Sequence, residues 1–152
     1  MAIISERGKN IQQGEVVTLK ASGAVGATAG TNGTAVAILG ERQRYIFILD
    51  VTATATDGTD TLDVYVDWSI DDVTYYNGGH YTQVLGTTGA VKSFMVFDAS
   101  NPGTATIAVT TDAAVSTVRP SLFGAYVRTR YVVVDPGAGV ASFTFSVIGY
   151  AI

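Results

Sequence analysis

An all-β chain, folded as a mainly antiparallel β-sandwich of jelly-roll or immunoglobulin-like type, is predicted here by three observations. Val, Ile, Thr, Tyr and Phe dominate the apolar stretches, and these side chains fit a pleated, half-buried surface. Apolar residues recur at every second position in run after run, and no long stretch has helical spacing. Turn signals such as Asp57-Gly58 separate the runs at short intervals, among seventeen glycines in all. At 152 residues the chain has the size of one ordinary domain. With 47% hydrophobic and 14% charged residues it can bury a core and is no disordered chain.

Taken in order, Met1–Gln13 carries no strong period. Glu15–Lys20 (EVVTLK) is expected as a short strand with Val17 and Leu19 on one face. Ala21–Ala35 is almost wholly Gly, Ala, Thr and Ser. It has little to bury and much backbone freedom to lose, which predicts a surface loop or an extended arm that orders against a partner. The expected organisation is therefore an N-terminal arm with a short strand over 1–35, extended and Gly/Ala/Thr-rich. A single sandwich domain over 36–152 follows.

In Tyr45–Thr54, the residues Tyr45, Phe47, Leu49, Val51 and Ala53 share a side, and Ile46 and Ile48 add a second apolar side. That predicts a central strand covered on both faces. Thr61–Tyr76 reads as a hairpin carrying the single tryptophan. Leu62, Val64, Val66, Trp68 and Ile70 form its dry face, and Asp63, Tyr65, Asp67 and Ser69 its wet face. Asp71-Asp72 breaks the alternation.

Asn77-Gly78-Gly79 reads as a further turn. His80–Leu85 and Val91–Phe97 are expected strands, the second covered on both sides because Phe94 and Val96 oppose Met95 and Phe97. Asn101-Pro102-Gly103 reads as a turn, Thr104–Thr110 as a weak strand, and Thr111–Pro120 as irregular. Leu122–Val134 is expected as a long strand. Phe123, Ala125, Val127, Tyr131 and Val133 occupy one side of it, and Tyr126, Arg128 and Arg130 the other. After the Asp135-Pro136-Gly137 turn, Val140–Ile152 closes the chain. Phe143, Phe145 and Val147 face in, and Ser142, Thr144 and Ser146 face out.

Composition excludes several classes of function. A net charge of −4 without a basic tail disfavours nucleic-acid binding, which needs a positive patch. No apolar run reaches the length of a membrane span, and MAIISERGKN lacks the pattern of a secretory signal. Without cysteine there is no thiolate chemistry. No motif marks a serine as a nucleophile, and His80 sits beside an expected turn as a solvated ring, so no catalytic residue is assigned. Asp63 and Asp67 lie roughly 13 Å apart along a strand, too far to share one ion. No cofactor is expected. Calcium at the Asp57–Asp60 or Asp71–Asp72 turn is the minor alternative, since no twelve-residue calcium loop is present.

Arg128 and Arg130, with Tyr126 beside them, form the best positive stripe. It serves either as cross-strand partner for outward aspartates or as an interface, where Arg and Tyr are favoured anchors. Tyr65, Tyr75, Tyr76 and Tyr81 pose a similar choice between cross-strand packing and a sugar-stacking platform. The candidate partner interface is Val17, Leu19, Tyr65, Tyr75, Tyr76, Tyr126, Arg128 and Arg130.

The order of elements resembles a known group. VVTLKASGAV is followed by YIFILDVTATATDGTDTLDVYVDWSIDDVTYY, then HYTQVLGTTGAVKSF, VRTRYVVV and SFTFSVIGYAI. This pattern is similar to small β-sandwich virion structural proteins of tailed bacteriophages, over Val16 to Ile152. It departs from them at Ile70-Asp71-Asp72, where an Asp-Gly type turn is usual. The resemblance implies a non-enzymatic capsid decoration (cement) protein, made in the host cytoplasm and placed on the outer capsid surface. It implies the major capsid protein and further copies of the chain as partners, with a trimer as the assembly, and neither nucleic acid nor membrane. A tail, neck or head-fibre component and a carbohydrate-binding sandwich are the alternative readings.

Overall fold

A computed structural model describes residues 3–6, 9–12, 14–38, 43–54, 57–101, 112–137 and 139–152. Thirteen strands occur among the described residues, and no helix does. They are β1 (Ile3–Glu6), β2 (Lys9–Gln12), β3 (Glu15–Val25), β4 (Thr28–Asn32), β5 (Val36–Ala37), β6 (Arg44–Ala53) and β7 (Thr61–Ser69). Then follow β8 (Tyr75–His80), β9 (Val84–Leu85), β10 (Val91–Asp98), β11 (Thr117–Val118), β12 (Tyr126–Val134) and β13 (Phe143–Ala151).

Every pairing is antiparallel. A four-stranded sheet runs β10-β6-β13-β3. A larger sheet runs β11-β8-β7-β12-β4, with β5 on β12 and β9 on β7. β1 and β2 form a hairpin of their own and join neither sheet. The all-β sandwich expected from the sequence is the fold observed.

Alternation builds the core. Phe47, Leu49 and Val51 of β6 and Phe143, Phe145 and Val147 of β13 turn inward from one sheet, all fully buried. Leu62, Val64, Val66 and Trp68 of β7 and Val127 of β12 meet them from the other. Trp68 is the centre of an aromatic cluster with Tyr45, Phe47, Phe97 and Phe123, at centroid distances of 5.3 to 6.0 Å, edge-on or tilted. Tyr81 crosses the core to donate its hydroxyl to the Phe47 carbonyl at 2.9 Å.

Two glycines exist for this packing. A Cβ on Gly78 would lie 2.6 Å from Trp68 Cδ1 and 2.9 Å from a Phe97 ring atom. Asn77-Gly78-Gly79 is therefore not the expected turn but the middle of β8, where the indole needs a bare backbone. A Cβ on Gly149 would meet the Phe47 ring at 2.4 Å.

The N-terminal part departs from expectation. The strand begun at Glu15 continues to Val25, paired along β13, and Thr28–Asn32 pairs with β12. The Gly/Ala/Thr-rich segment is thus woven into both sheets. Backbone pairing holds it, since none of the side chains from Ala21 to Ala35 is buried. The expected strand at 104–110 and most of the Asn101-Pro102-Gly103 turn lie outside the described residues. The strand expected from Leu122 begins at Tyr126, and His80–Leu85 divides into the end of β8 and the short β9. Ile70, assigned to the dry face, is 73% exposed at the hairpin tip.

Candidate functional site: two outer faces

Each sheet has one face on the core and one turned away from it. The predicted interface residues divide between these. Val17 and Leu19 point into the core, at 6% and 2% exposure, so neither reaches a partner. Their side of β3 was correctly grouped but faces the other sheet. Tyr76 stands opposite Trp68 in the β7–β8 register and shares its face, away from the other tyrosines. Tyr65, Tyr75, Tyr126, Arg128 and Arg130 do come together on the outer face of the larger sheet. The register places Ser69 between Tyr75 and Tyr126, Arg128 beside Asp67, and Arg130 beside Tyr65.

That face is not the wet surface expected of Asp63, Tyr65, Asp67 and Ser69. Asp67 is 3% exposed and Ser69 is fully buried. The chain from Asp112 to Arg119 roofs part of it. The Ala113 N–H donates to Asn77 Oδ1 at 2.7 Å, and Arg119 Nη1 donates to the Asn77 carbonyl at 2.8 Å. β11 pairs with β8. Beneath the roof, Asn77 Nδ2 donates to Asp67 Oδ1 at 2.9 Å, and Arg130 Nε donates to Asp67 Oδ2 at 3.0 Å. Arg130 also pairs with Asp112 at 2.5 Å and lies over the Tyr65 ring at 4.0 Å. Burial alone would lower the Arg130 pKa, but Asp67 and Asp112 outweigh it and raise it.

His80 is likewise no solvated ring. At 6% exposure it stacks on Tyr65 at 4.1 Å, with Nε2 2.9 Å from Asp63 Oδ1 and Nδ1 3.2 Å from the Ala113 carbonyl. Both nitrogens are engaged by acceptors, so neither is placed to activate a nucleophile. Burial pushes the Asp63 carboxyl up, but hydrogen bonds from His80 and Gln83 outweigh it and leave it below its ordinary value. At the open end of the face, Arg128 covers Tyr75 at 3.6 Å, and the Tyr75 hydroxyl donates to Asp72. Burial and that bond push the Tyr75 phenol up to about 12. The tyrosines make no sugar platform: Tyr81 and Tyr65 are buried, and Tyr75 has a face taken by Arg128.

The four-stranded sheet presents the opposite surface. Phe94 of β10 is opposite Ile48 of β6, which is opposite Ile148 of β13, which is opposite Thr18 of β3. The next row is Val96, Ile46, Tyr150 and Val16. Opposed residues share a face, so two rows cross all four strands, apolar throughout except at Thr18. Phe94 is 71% exposed, Val16 66%, and Ile48, Ile148 and Tyr150 between 42% and 44%. An ion pair bounds the patch on either side, Lys92–Asp50 at 2.9 Å and Arg44–Asp98 at 2.6 Å. Hydrogen bonds from the Ser100 hydroxyl and N–H, then from Arg44, hold the Asp98 carboxyl down to about 2.

This surface was missed among the predicted interface residues, although its signal was present. Alternation marks Ile46, Ile48, Phe94 and Val96 as second apolar sides and predicts strands covered on both faces. β6 is central as expected, but β10 is an edge strand, and none of the described residues covers the outer side of either.

No protein-family model matches the chain, and no curated protein matches it. Among solved structures it is similar to two structures of infectious bursal disease virus. One is of the Gt strain (TM-score 0.54, 12% identity) and one of the Gx strain (TM-score 0.53, 14% identity). A third similar structure is the VP2 subviral particle of the same virus, at TM-score 0.51 and 13% identity. Each likeness covers the whole of this chain and 36–37% of the other, so the chain spans little more than a third of those proteins. At this identity the likeness establishes the fold alone.

Proposed function

We propose that the chain is a non-enzymatic virion structural protein, a decoration (cement) protein of tailed-phage type that binds the outer head surface and bridges capsomers. The observation that carries the proposal is the bare apolar face of the four-stranded sheet. Phe94, Ile48, Ile148, Tyr150 and Val16 lie exposed on a rigid sandwich whose core is otherwise closed. Exposed contiguous apolar surface marks an interaction site. The charges flanking it are paired with each other, so the face suits a neutral, apolar partner. We assign that partner as the major capsid protein of the shell. The fold shared with viral-particle proteins supports a virion role, as does the resemblance in strand and turn pattern to phage decoration proteins. Contacts between neighbouring copies, in a threefold assembly, rest on that resemblance. The β1–β2 hairpin, outside both sheets, is a segment available for such bridging.

The test is imaging of intact particles together with head binding by the purified chain. The chain is expected on the head exterior in many copies, and Phe94→Asp with Ile148→Asp abolishes retention on heads while the protein stays folded. A chain found on tails, or heads that hold the double variant as well as the wild type, overturns the assignment.

A further inference from the structure

At one end of the sandwich, the turn joining β6 to β7 meets the turn joining β12 to β13. Asp57 Oδ2 lies 2.7 Å from where a Cβ on Gly137 would stand. Each turn is closed by an aspartate. Asp57 Oδ1 accepts the Thr59 N–H at 2.9 Å and the Thr59 hydroxyl at 2.8 Å. Asp135 accepts the N–H of Gly137 at 3.3 Å and of Ala141 at 3.1 Å.

A third carboxylate, Asp60, differs from both. It is 1% exposed, and neither of its oxygens has a hydrogen-bond partner among the described residues. Its backbone is tied on both sides, through the Asp57 carbonyl at 3.3 Å and the Gly86 N–H at 2.8 Å, so the side chain has no easy route to solvent. None of the ion pairs among the described residues includes Asp57, Asp60 or Asp135. A buried carboxylate without a donor is costly as it stands. A proton would remove the charge but leave an O–H and a carbonyl oxygen unpartnered. A cation satisfies both oxygens.

We propose that these two turns form a calcium site, with Asp60 as the buried ligand and Asp57 and Asp135 at its rim. The donors are all oxygen, which selects a hard cation over zinc or copper. Among the described residues no three metal-binding side chains already surround one point. Carbonyl oxygens of the turns and water complete the shell, and calcium, with six to eight ligands in flexible geometry, accepts that where magnesium does not. The site does not depend on the virion role.

The full chain, stripped with a chelator, is titrated with calcium chloride by calorimetry and melted with and without the ion. At about a hundred-fold excess over Kd the midpoint is expected to rise by roughly 5–10 °C. Asp60→Asn removes that rise and melts no lower than the wild type in chelator, because a buried charge is gone. Asp57→Asn weakens calcium binding by about ten-fold, and Asp71→Asn with Asp72→Asn leaves it unchanged. No calcium effect on the wild type up to about 10 mM, or an equal rise in Asp60→Asn, overturns the proposal. If Asp60→Asn fails to fold, Asp57→Asn decides: an unshifted isotherm overturns it.

Discussion

The outer face of the seven-stranded sheet is polar in composition and largely dry, whereas that of the four-stranded sheet is apolar in composition and largely wet. On the first, Asp67 accepts from Asn77 and Arg130, and His80 bonds Asp63 and the Ala113 carbonyl, under a roof made by Asp112 to Arg119. On the second, Phe94, Ile48 and Ile148 form a cross-strand row with nothing of the described chain above it. Side-chain polarity therefore does not decide which face meets water. A polar face can be closed internally if each donor finds an acceptor. An apolar face can be left open if something else is to cover it. The first surface is closed by its own hydrogen bonds, and the second is the face proposed above to meet a partner.

The contrast can be broken at several points, and the expected effects differ in size. Trp68→Ala removes the side chain on which both sheets close and is expected to cost about 3–5 kcal/mol. Denaturant unfolding measures it, and a near-neutral midpoint would show that the two sheets close elsewhere. Asp67→Ala strikes the roofed face. It strips both Arg130 and Asn77 of a partner in a buried setting and is expected to cost about 2–4 kcal/mol. Were that face an ordinary solvated one, the same change would fall below about 0.5 kcal/mol.

A smaller effect is expected at the edge of the open face, through pH. Asp98 has its carboxyl held down to about 2 in the folded protein, against an ordinary 3.8. A depressed carboxyl contributes stability above its unfolded value and loses it as the pH falls towards the folded one. Unfolding midpoints of the wild type should thus decline between about pH 4 and pH 2 more than those of Asp98→Asn. Parallel curves would show that Arg44 and Ser100 do not hold this carboxylate in solution. The least effect on stability is expected from Phe94→Ser, within about 0.5 kcal/mol, because the ring is already exposed. The same change should weaken head binding by about thirty-fold, the ~2 kcal/mol scale of an anchoring aromatic. If it destabilises the fold by more than about 2 kcal/mol while the folded fraction binds as tightly as the wild type, this face serves packing and not a partner.

Much of the sandwich was legible from period alone. Phe143, Phe145 and Val147 were read as inward and are fully buried. The dry side of β7 from Leu62 to Trp68 was read correctly too. Alternation puts Tyr126, Arg128 and Arg130 on one side of their strand, and the register adds Tyr65 to that face. Val17 and Leu19 failed as interface residues because apolar alternation in a first strand looks the same whether it faces a core or a partner. Asn77-Gly78-Gly79 failed as a turn because glycine serves two needs, positive φ and close approach, and here Trp68 imposes the second. The secluded Asp60 was visible as an acidic turn residue, but not as a buried one.

Local composition and two-residue period were enough to determine an antiparallel sandwich, its turns at Asp57-Gly58 and Asp135–Gly137, and the inward residues of β7 from Leu62 to Trp68 and of β13 from Phe143 to Val147. Those properties follow from residues near one another in the chain. Tertiary structure alone decided that the Asp63–Ser69 side would be roofed. The covering groups at Asp112, Ala113 and Arg119 come from more than thirty residues away in sequence. It alone also decided that the second apolar sides of β6 and β10 would stay open, since alternation names the two faces of a strand but not what lies against each.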